Sequence, residues 1–511
     1  MRIFSSREAR SIDRHAIDDL GISGEYLMGN AGLSVAEKAM KMLLESGGSK
    51  ALIIAGKGNN GGDGYVAALK LVEFVKDVCL ISTSPKDEIK GDAKIFHDRC
   101  VEQEIEIQYE VEPESFDTYG FNLIIDGLLG TGIKGKVKGV ARKWIDWINQ
   151  TRLSVLAIDI PSGISADNGQ VLGSAIRADA TVTMGFLKQG LVINPGAEYA
   201  GEVDLVDIGF PESAFEVISS NKVVFDESIA VEYLKKPPSN TYKHRQGKVF
   251  ILSGSRGFTG AGCLTAEAAL RTGAGLVIAG VPESLNPIFE EKLTEVITAP
   301  LPDKGMGRFL NESCTKLENH LDWCDVVAIG PGIGTDHTTM EFVEKVFEMC
   351  SKPMVIDADA LIPFHDKPDL LKKVKKECIL TPHHGEAAAF MGVDKQTIID
   401  DPFRFMKEMV QATGGVVVLK GAPTIVGFND TIVINSSGHQ GLATAGSGDV
   451  LTGMIAGFVG QKLPLEIAAQ LGVFIHGKAA DTLLKTRGYR GLLAGDLLQT
   501  IPSIIMSYEL C

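Results

Sequence analysis

The stretch Ala51-Leu52-Ile53-Ile54-Ala55-Gly56-Lys57-Gly58-Asn59-Asn60-Gly61-Gly62-Asp63-Gly64 reads as a buried strand running directly into a glycine-rich turn. Apolar spacing predicts a helix over Tyr65 to Phe74, so the amides of the turn face an anion at a helix N-terminus. That is a βα unit built around a phosphate loop. Gly56, Gly58 and Gly61 match GxGxxG, but the next strand ends in Ser82-Thr83-Ser84 where a dinucleotide fingerprint wants an acid. No Gly-Lys-Ser/Thr triplet closes the loop, so the Walker A pattern is not met either.

Outward from this unit, residues 5 to 45 carry helical spacing, and strands are predicted at Val78 to Ser82, Leu123 to Asp126, Val155 to Ile160, Ala180 to Met184 and Glu202 to Ile208. Most are separated by enough chain for a crossover helix, which predicts a mostly parallel sheet. The pattern lapses after Pro211 and resumes beyond Lys235-Lys236-Pro237-Pro238-Ser239-Asn240, a polar, proline-bearing stretch of the kind that joins domains. A second α/β series follows, with strands at Val249 to Ser253, Gly275 to Gly280, Val326 to Ile329, Met354 to Ile356, Cys378 to Leu380 and Val416 to Leu419, and a helix from Val450 to Val459. The expected organisation is a domain over 1–215, a linker over 216–240 and a larger domain over 241–511. The halves share no motifs, so two different sites are expected.

Composition sets the limits. The 511 residues are 45% hydrophobic and 23% charged, with 57 Gly and 20 Pro, which excludes a single small module and a disordered chain. The net charge of −15 argues against a nucleic-acid or anionic-membrane surface and points to a small ligand. Eight scattered cysteines, from Cys79 to Cys511, form no CxxC or zinc spacing and read as reduced packing residues. Arg7, Arg10, Asp13 and Arg14 stand where a secretory signal needs its apolar core, and apolar runs are too short to span a bilayer, so the reading is cytoplasmic.

Two further strand ends in the first half carry polar loops: Asp126-Gly127-Leu128-Leu129-Gly130-Thr131-Gly132-Ile133-Lys134-Gly135-Lys136, and Asp159-Ile160-Pro161-Ser162-Gly163. Ligands gather at the carboxyl ends of parallel strands, and these loops offer carboxylates, cations and oxygen ligands for a weakly held cation. Together, GKGNNGGDG, DGLLGTGIKG and DIPSG resemble the NAD(P)HX epimerase domain, the YjeF N-terminal family. The resemblance implies a Rossmann-like three-layer fold in which Asn59, Asn60, Gly61, Gly62 and Asp63, with Gly130, Thr131, Gly132, Ile133, Lys134, Gly135 and Lys136, bind the hydrated nicotinamide dinucleotide. It further implies that Asp159 and Lys134 act at the hydrated ring and that Asn60, Asp126 and Ser162 surround K⁺. A positioned carboxylate can move the protons that inversion of the C6 carbinolamine requires. Met28-Gly29-Asn30-Ala31-Gly32 departs from the family's Met-Glu-Asn/Arg-Ala-Gly.

The strongest signal in the second half is Gly441-Leu442-Ala443-Thr444-Ala445-Gly446-Ser447-Gly448-Asp449-Val450-Leu451-Thr452-Gly453, a small-residue loop opening into an apolar helix. Its amides can stabilise a transferring phosphoryl group, and Asp449 stands where it could take a proton from an attacking hydroxyl. Gly446-x-Gly448-Asp449 resembles the anion hole and base of the ribokinase-like superfamily. Gly330-Pro331-Gly332, Asp357-Ala358-Asp359-Ala360, Thr381-Pro382-His383-His384-Gly385-Glu386 and Lys420-Gly421-Ala422-Pro423-Thr424 are similar, in order, to the NAD(P)HX dehydratase domain. That resemblance implies a ribokinase-like three-layer α/β domain in which Ala261, Gly332, His383 and Asp449 meet the hydrated dinucleotide. Lys420, Gly421, Ala422, Pro423, Thr424 and Gly448 would meet ADP or ATP, carried with Mg²⁺. His384 replaces a frequent proline, and His439 and His476 read as structural.

The residues alone reach two phosphate-ligand α/β domains, and the two resemblances together imply a bifunctional repair enzyme that epimerises NADHX and NADPHX and dehydrates the S form at the expense of ADP or ATP, with self-association as a homo-oligomer left open. Two alternatives stay open beside it: a ribokinase-like kinase of a small alcohol, and a first domain that senses or binds a ligand without catalysis.

Overall fold

The computed structural model describes residues 1–75, 77–365 and 377–510. They divide into two compact units, Arg2–Ser220 and Asn221–Cys511 with Met1, and Cys511 itself lies outside the described residues.

In the first unit the strands Ile107–Tyr109, Asp77–Ser82, Lys50–Ala55, Leu123–Gly127, Ser154–Ile158, Ala180–Met184 and Glu202–Val206 lie side by side in that order, all parallel. The order turns outward in both directions from Lys50–Ala55, the switch point at which doubly wound sheets bind ligands. Alternate residues feed opposite faces: Ala51, Ile53 and Ile125 join one apolar cluster, Leu52, Ile54 and Ile124 another. Helix Gly24–Ser46 lies on helix Asn59–Leu71 closely enough that a Cβ on Gly32 would meet Val66 at 2.3 Å. Gly29 is different, since a Cβ there would meet only Phe96 at 3.8 Å, so packing does not demand the glycine. A short parallel pair, Ile3–Phe4 with Leu187–Lys188, stands apart from the main sheet.

The second unit is built on ten strands in the order Lys222–Val224, Thr431–Ile434, Ile425–Phe428, Val416–Leu419, Cys378–Leu380, Met354–Ile356, Val326–Ile329, Lys248–Leu252, Leu276–Pro282 and Ile297–Leu301. Ile425–Phe428 is antiparallel to both neighbours and the other pairings are parallel. Val249, Ile251 and Val326 face one cluster, Phe250, Leu252 and Val327 the other, giving three layers. Helix Ser447–Gly460 packs on helix Thr259–Arg271 through Gly453, where a Cβ would sit 2.1 Å from the Thr265 carbonyl.

The Rossmann-like and ribokinase-like α/β architectures are both present. The division after Ser220 differs from the expected linker over 216–240, because Lys222–Val224 pairs with Thr431–Ile434 and Ser228–Tyr233 is helical. Three residues of strand at a sheet edge leave too short an apolar run to stand out in sequence. The glycine-rich turn also differs, since the helix begins at Asn59 and takes in Gly61, Gly62 and Gly64. Among the described residues no helix is long and apolar enough to cross a membrane, and seven cysteines are free thiols.

Candidate functional site

In the first unit three strands end together, after Ala55, Gly127 and Ile158, and Asn60 ties their loops. Its Nδ2 donates to the carbonyls of Leu129 (3.1 Å) and Ile158 (2.9 Å). The loop closes so tightly that a Cβ on Gly61 would lie 1.8 Å from the Gly56 carbonyl oxygen, a fit that requires glycine.

Asp126 is fully buried beneath these loops. Its carboxylate accepts the Leu128 amide (3.2 Å), the Ser162 amide (2.8 Å) and the Ser162 hydroxyl (2.6 Å). Burial outweighs these bonds and pushes Asp126 up to about 6. A buried carboxylate bonded only by neutral groups, with the Ser162 hydroxyl on it and Asn60 and Ser162 both bonding the Leu129 carbonyl, fits a weakly hydrated monovalent cation. Among the described residues no group of three or more His, Cys, Asp or Glu is placed to hold a metal ion.

Above the loops lies a cavity of about 900 Å³ lined by Asn59, Asn60, Asp63, Gly130, Thr131, Gly132, Ile133 and Asp159. Asp159 takes a left-handed φ of 64°, which ends its strand and turns its side chain. Lys134, Gly135 and Lys136 are exposed and are not among the residues lining the cavity. The cation bonded to Asp159 is instead Lys188, which sequence reasoning missed. The available signal was a lone lysine in the apolar run Gly185-Phe186-Leu187-Lys188-Gln189-Gly190-Leu191, where an unpaired charge would be costly. Asp13 and Asp63 line the same cavity. Burial, and then the charge of Asp159, holds Asp63 well above the usual carboxylate range, which favours its neutral form. Desolvation raises Asp13 to about 6 against the pull of Lys188.

In the second unit the loops after Ile356 and Leu419 meet the head of helix Ser447–Gly460 through Asp357 and Lys420, with the loop after Leu380 bridged to Lys420 by His383. Gly446 precedes the helix with φ 88°, and a Cβ there would meet Leu264 at 2.6 Å. Asp449 stands in the first turn. Burial, then the charge of Asp357, raises it to about 6 against the pull of Lys420. Lys420 Nζ donates to Asp357 (2.7 Å), whose other oxygen accepts the Thr452 hydroxyl (2.7 Å). Burial works against the Lys420 charge, but Asp357 and Glu386 more than offset it and hold Lys420 above its ordinary value. Gly448 lies against the same amine, with 3.5 Å between Nζ and the place of a Cβ.

His383 is brought beside Lys420 by a parallel bridge, and its Nδ1 accepts the amides of Gly385 and Glu386 at the head of helix His384–Met391. His384 lies under Gly421, in the turn that the Thr424 hydroxyl closes on the Gly421 carbonyl (3.2 Å) around Ala422 and Pro423. Ala261 meets Gly332, with 2.9 Å between its Cβ and the place of one on Gly332. They join the rest through Asp359, which accepts the Gly334 amide (3.0 Å) and acts electrostatically on Asp449. His476 is buried against Ser447, its Nε2 3.1 Å from the Ser447 carbonyl, and His439 bonds the Gly441 amide and the Ala480 carbonyl.

The first unit thus offers a carboxylate-lined cavity beside a glycine-rich loop, and the second a glycine-led helix head with a carboxylate of raised pKa. Residues 24–190 match the family model described as YjeF-related protein N-terminus, and residues 249–503 match the one described as NAD(P)H-hydrate dehydratase. The bifunctional NAD(P)H-hydrate repair enzyme Nnr of Moorella thermoacetica is 35% identical over 517 aligned positions, covering 100% of this chain and 97% of that one. Its counterpart in Escherichia coli K12 is 34% identical, covering 98% and 94%. Among solved structures, the ADP/ATP-dependent NAD(P)H-hydrate dehydratase from Bacillus subtilis, co-crystallised with ATP/Mg²⁺, is 26% identical with a TM-score of 0.49, covering 56% of this chain and 98% of that one.

Proposed function

The chain belongs to the family of bifunctional NAD(P)H-hydrate repair enzymes, and from that premise we propose that each unit carries one of the two activities on a site of its own. The chain is an NAD(P)H-hydrate epimerase and an ADP/ATP-dependent NAD(P)H-hydrate dehydratase. The first unit epimerises, with the substrate in the cavity above Asn59 to Asp63 and Asp159 moving the proton at the hydrated ring. Expelling the C6 hydroxyl and returning water to the other face needs one group to give a proton and one to take it. Asp159 is the base, and Asp63, held toward its neutral form, is the acid beside it.

The second unit dehydrates the S epimer. The observation that carries this reading is Asp449, half-buried at the head of a glycine-led helix beside Lys420. Asp449 takes the proton of the C6 hydroxyl as its oxygen attacks the terminal phosphate of ADP or ATP. The C6–O bond then breaks with phosphate as the leaving group, a proton leaves C5, and the ring double bond is restored. The Gly448 amide faces the transferring group, and Lys420 with Gly421 to Thr424 holds the nucleotide. Mg²⁺ held by the nucleotide phosphates would offset their charge.

Because Asp449 must be ionised to accept a proton, kcat/KM for dehydration should rise with pH and level off above about 6, a limb read from initial rates on the S epimer. A limb unchanged in an Asp449 variant that keeps activity would remove the residue from the mechanism.

Potassium is assigned to Asn60, Asp126 and Ser162. The fold raises Asp126 from about 3.8 to about 6, so stability gained from its proton is complete below about pH 4 and is lost as pH rises through about 6. Two pKa units correspond to about 3 kcal/mol at most. K⁺ can replace that proton, so its stabilisation over choline should appear above about pH 6 and vanish at about pH 5 in thermal melts of the chain. Equal melts in K⁺ and choline at high pH would refute the assignment.

A further inference from the structure

We propose that Lys188 is the positioning residue of the epimerase site, which holds one oxygen of Asp159 and leaves the other free for the substrate. The inference rests on the reading of Asp159 as the base. Lys188 is 2% exposed and sits in register with Phe4 in the short parallel pair beside the main sheet. Its ammonium has three hydrogens, and three acceptors meet them: Asp159 Oδ1, Thr183 Oγ1 (2.9 Å) and the Met184 carbonyl (3.0 Å). The Phe186 ring lies 4.7 Å from Nζ. With its donors occupied inside the protein, Lys188 has none left for a substrate oxygen and acts through Asp159.

The carboxylate is held from one side. Oδ1 accepts Lys188, the Thr183 hydroxyl (3.3 Å) and the Met184 amide (3.2 Å). Oδ2 takes part in none of these bonds, and Asp159 lines the cavity. Two other carboxylates face the group, Asp13 from helix Ser6–Arg14 and Asp63 from helix Asn59–Leu71, while Arg10, Lys57, Asp92 and Lys138 line the wider cavity. With three carboxylates sharing one apolar-walled space, a bonded cation decides which of them stays ionised. Lys188 is the cation bonded to Asp159, while burial raises the neighbouring Asp13 and Asp63 above the usual carboxylate range.

The test is steady-state epimerisation by the full chain without nucleotide, following conversion of the R to the S epimer by chromatography. Lys188→Met should lower kcat at least about 10²-fold while KM moves less than about threefold, and should shift the acid limb of the pH profile upward by about one unit or more. Thr183→Val keeps the side-chain shape and the lysine, and should give a smaller loss with the same upward shift. Wild-type kcat and an unmoved limb in Lys188→Met would overturn the proposal, as would a loss confined to KM. If Lys188→Met does not fold, an unmoved limb and kcat in Thr183→Val would overturn it. Asp159→Asn separates the two claims. Its inactivity beside wild-type behaviour in the Lys188 and Thr183 variants defeats this proposal alone, whereas an active Asp159→Asn defeats the reading beneath it.

Discussion

Asp449→Asn is expected to slow dehydration of the S epimer by about 10³-fold, within the range a positioned general base contributes, while epimerisation continues. The substitution keeps size and removes only the ability to take a proton. Among the described residues the Asp449 carboxylate accepts no hydrogen bond from protein, and what surrounds it is charge: Asp357, Lys420 and Asp359. A residue whose task was to cap the helix would be bonded to its amides. Neutralising Asp449 also relieves repulsion from Asp357, so the variant should melt at or slightly above the wild-type temperature. Incubation with an R/S mixture should then interconvert the epimers without forming NADH, which chromatography of the two epimers resolves. Dehydration within about tenfold of wild type would exclude Asp449 as the base.

Asp159→Asn should have the complementary effect, an epimerisation rate lower by about 10³-fold. NADH recovery would stop at the S fraction and resume on addition of wild-type protein. The site can accept the change, because asparagine is one of the few side chains that adopts the left-handed backbone which Asp159 holds at φ 64°. Its Oδ1 can still accept Lys188 and the Met184 amide. Asparagine keeps these bonds but leaves the buried Lys188 charge without its counter-ion, so loss of activity with a lowered melting temperature in a protein that still folds is the expected pair of results.

Much of this was legible in sequence because the elements concerned are local. Val326–Ile329, Met354–Ile356, Cys378–Leu380 and Val416–Leu419 are short apolar runs buried on both faces, and their predicted and observed limits coincide. The hairpin Ile425–Phe428 and Thr431–Ile434 lies outside the predicted strands, although Asn429-Asp430 sits between two β-branched runs. Ile297–Leu301 was hidden by Pro300, which an edge strand tolerates. The predicted strand over Val155 to Ile160 stops at Ile158, because Asp159 leaves extended backbone where it enters the cavity.

The same division holds for the sites. Glycine-rich loops at helix starts are contiguous, so Asn59 to Asp63 and Gly446 to Asp449 could be read directly as local structure. Lys188 and Asp357 could not be read this way, since the one acts on Asp159 across 29 residues and the other on Lys420 across 63. Lys134 illustrates the converse: it stands in a family motif, yet its loop leaves it exposed while a buried lysine takes the carboxylate.

The most direct test of two activities on one chain is the absorbance of reduced nicotinamide after mixing the protein with an R/S mixture of NADHX, K⁺, Mg²⁺ and ADP or ATP. Recovery of NADH from both epimers is the predicted result, with Asp159→Asn stopping at the S fraction and Asp449→Asn giving none. Wild-type recovery that stops at the S fraction would contradict the epimerase assignment, and no recovery with either nucleotide would contradict the dehydratase.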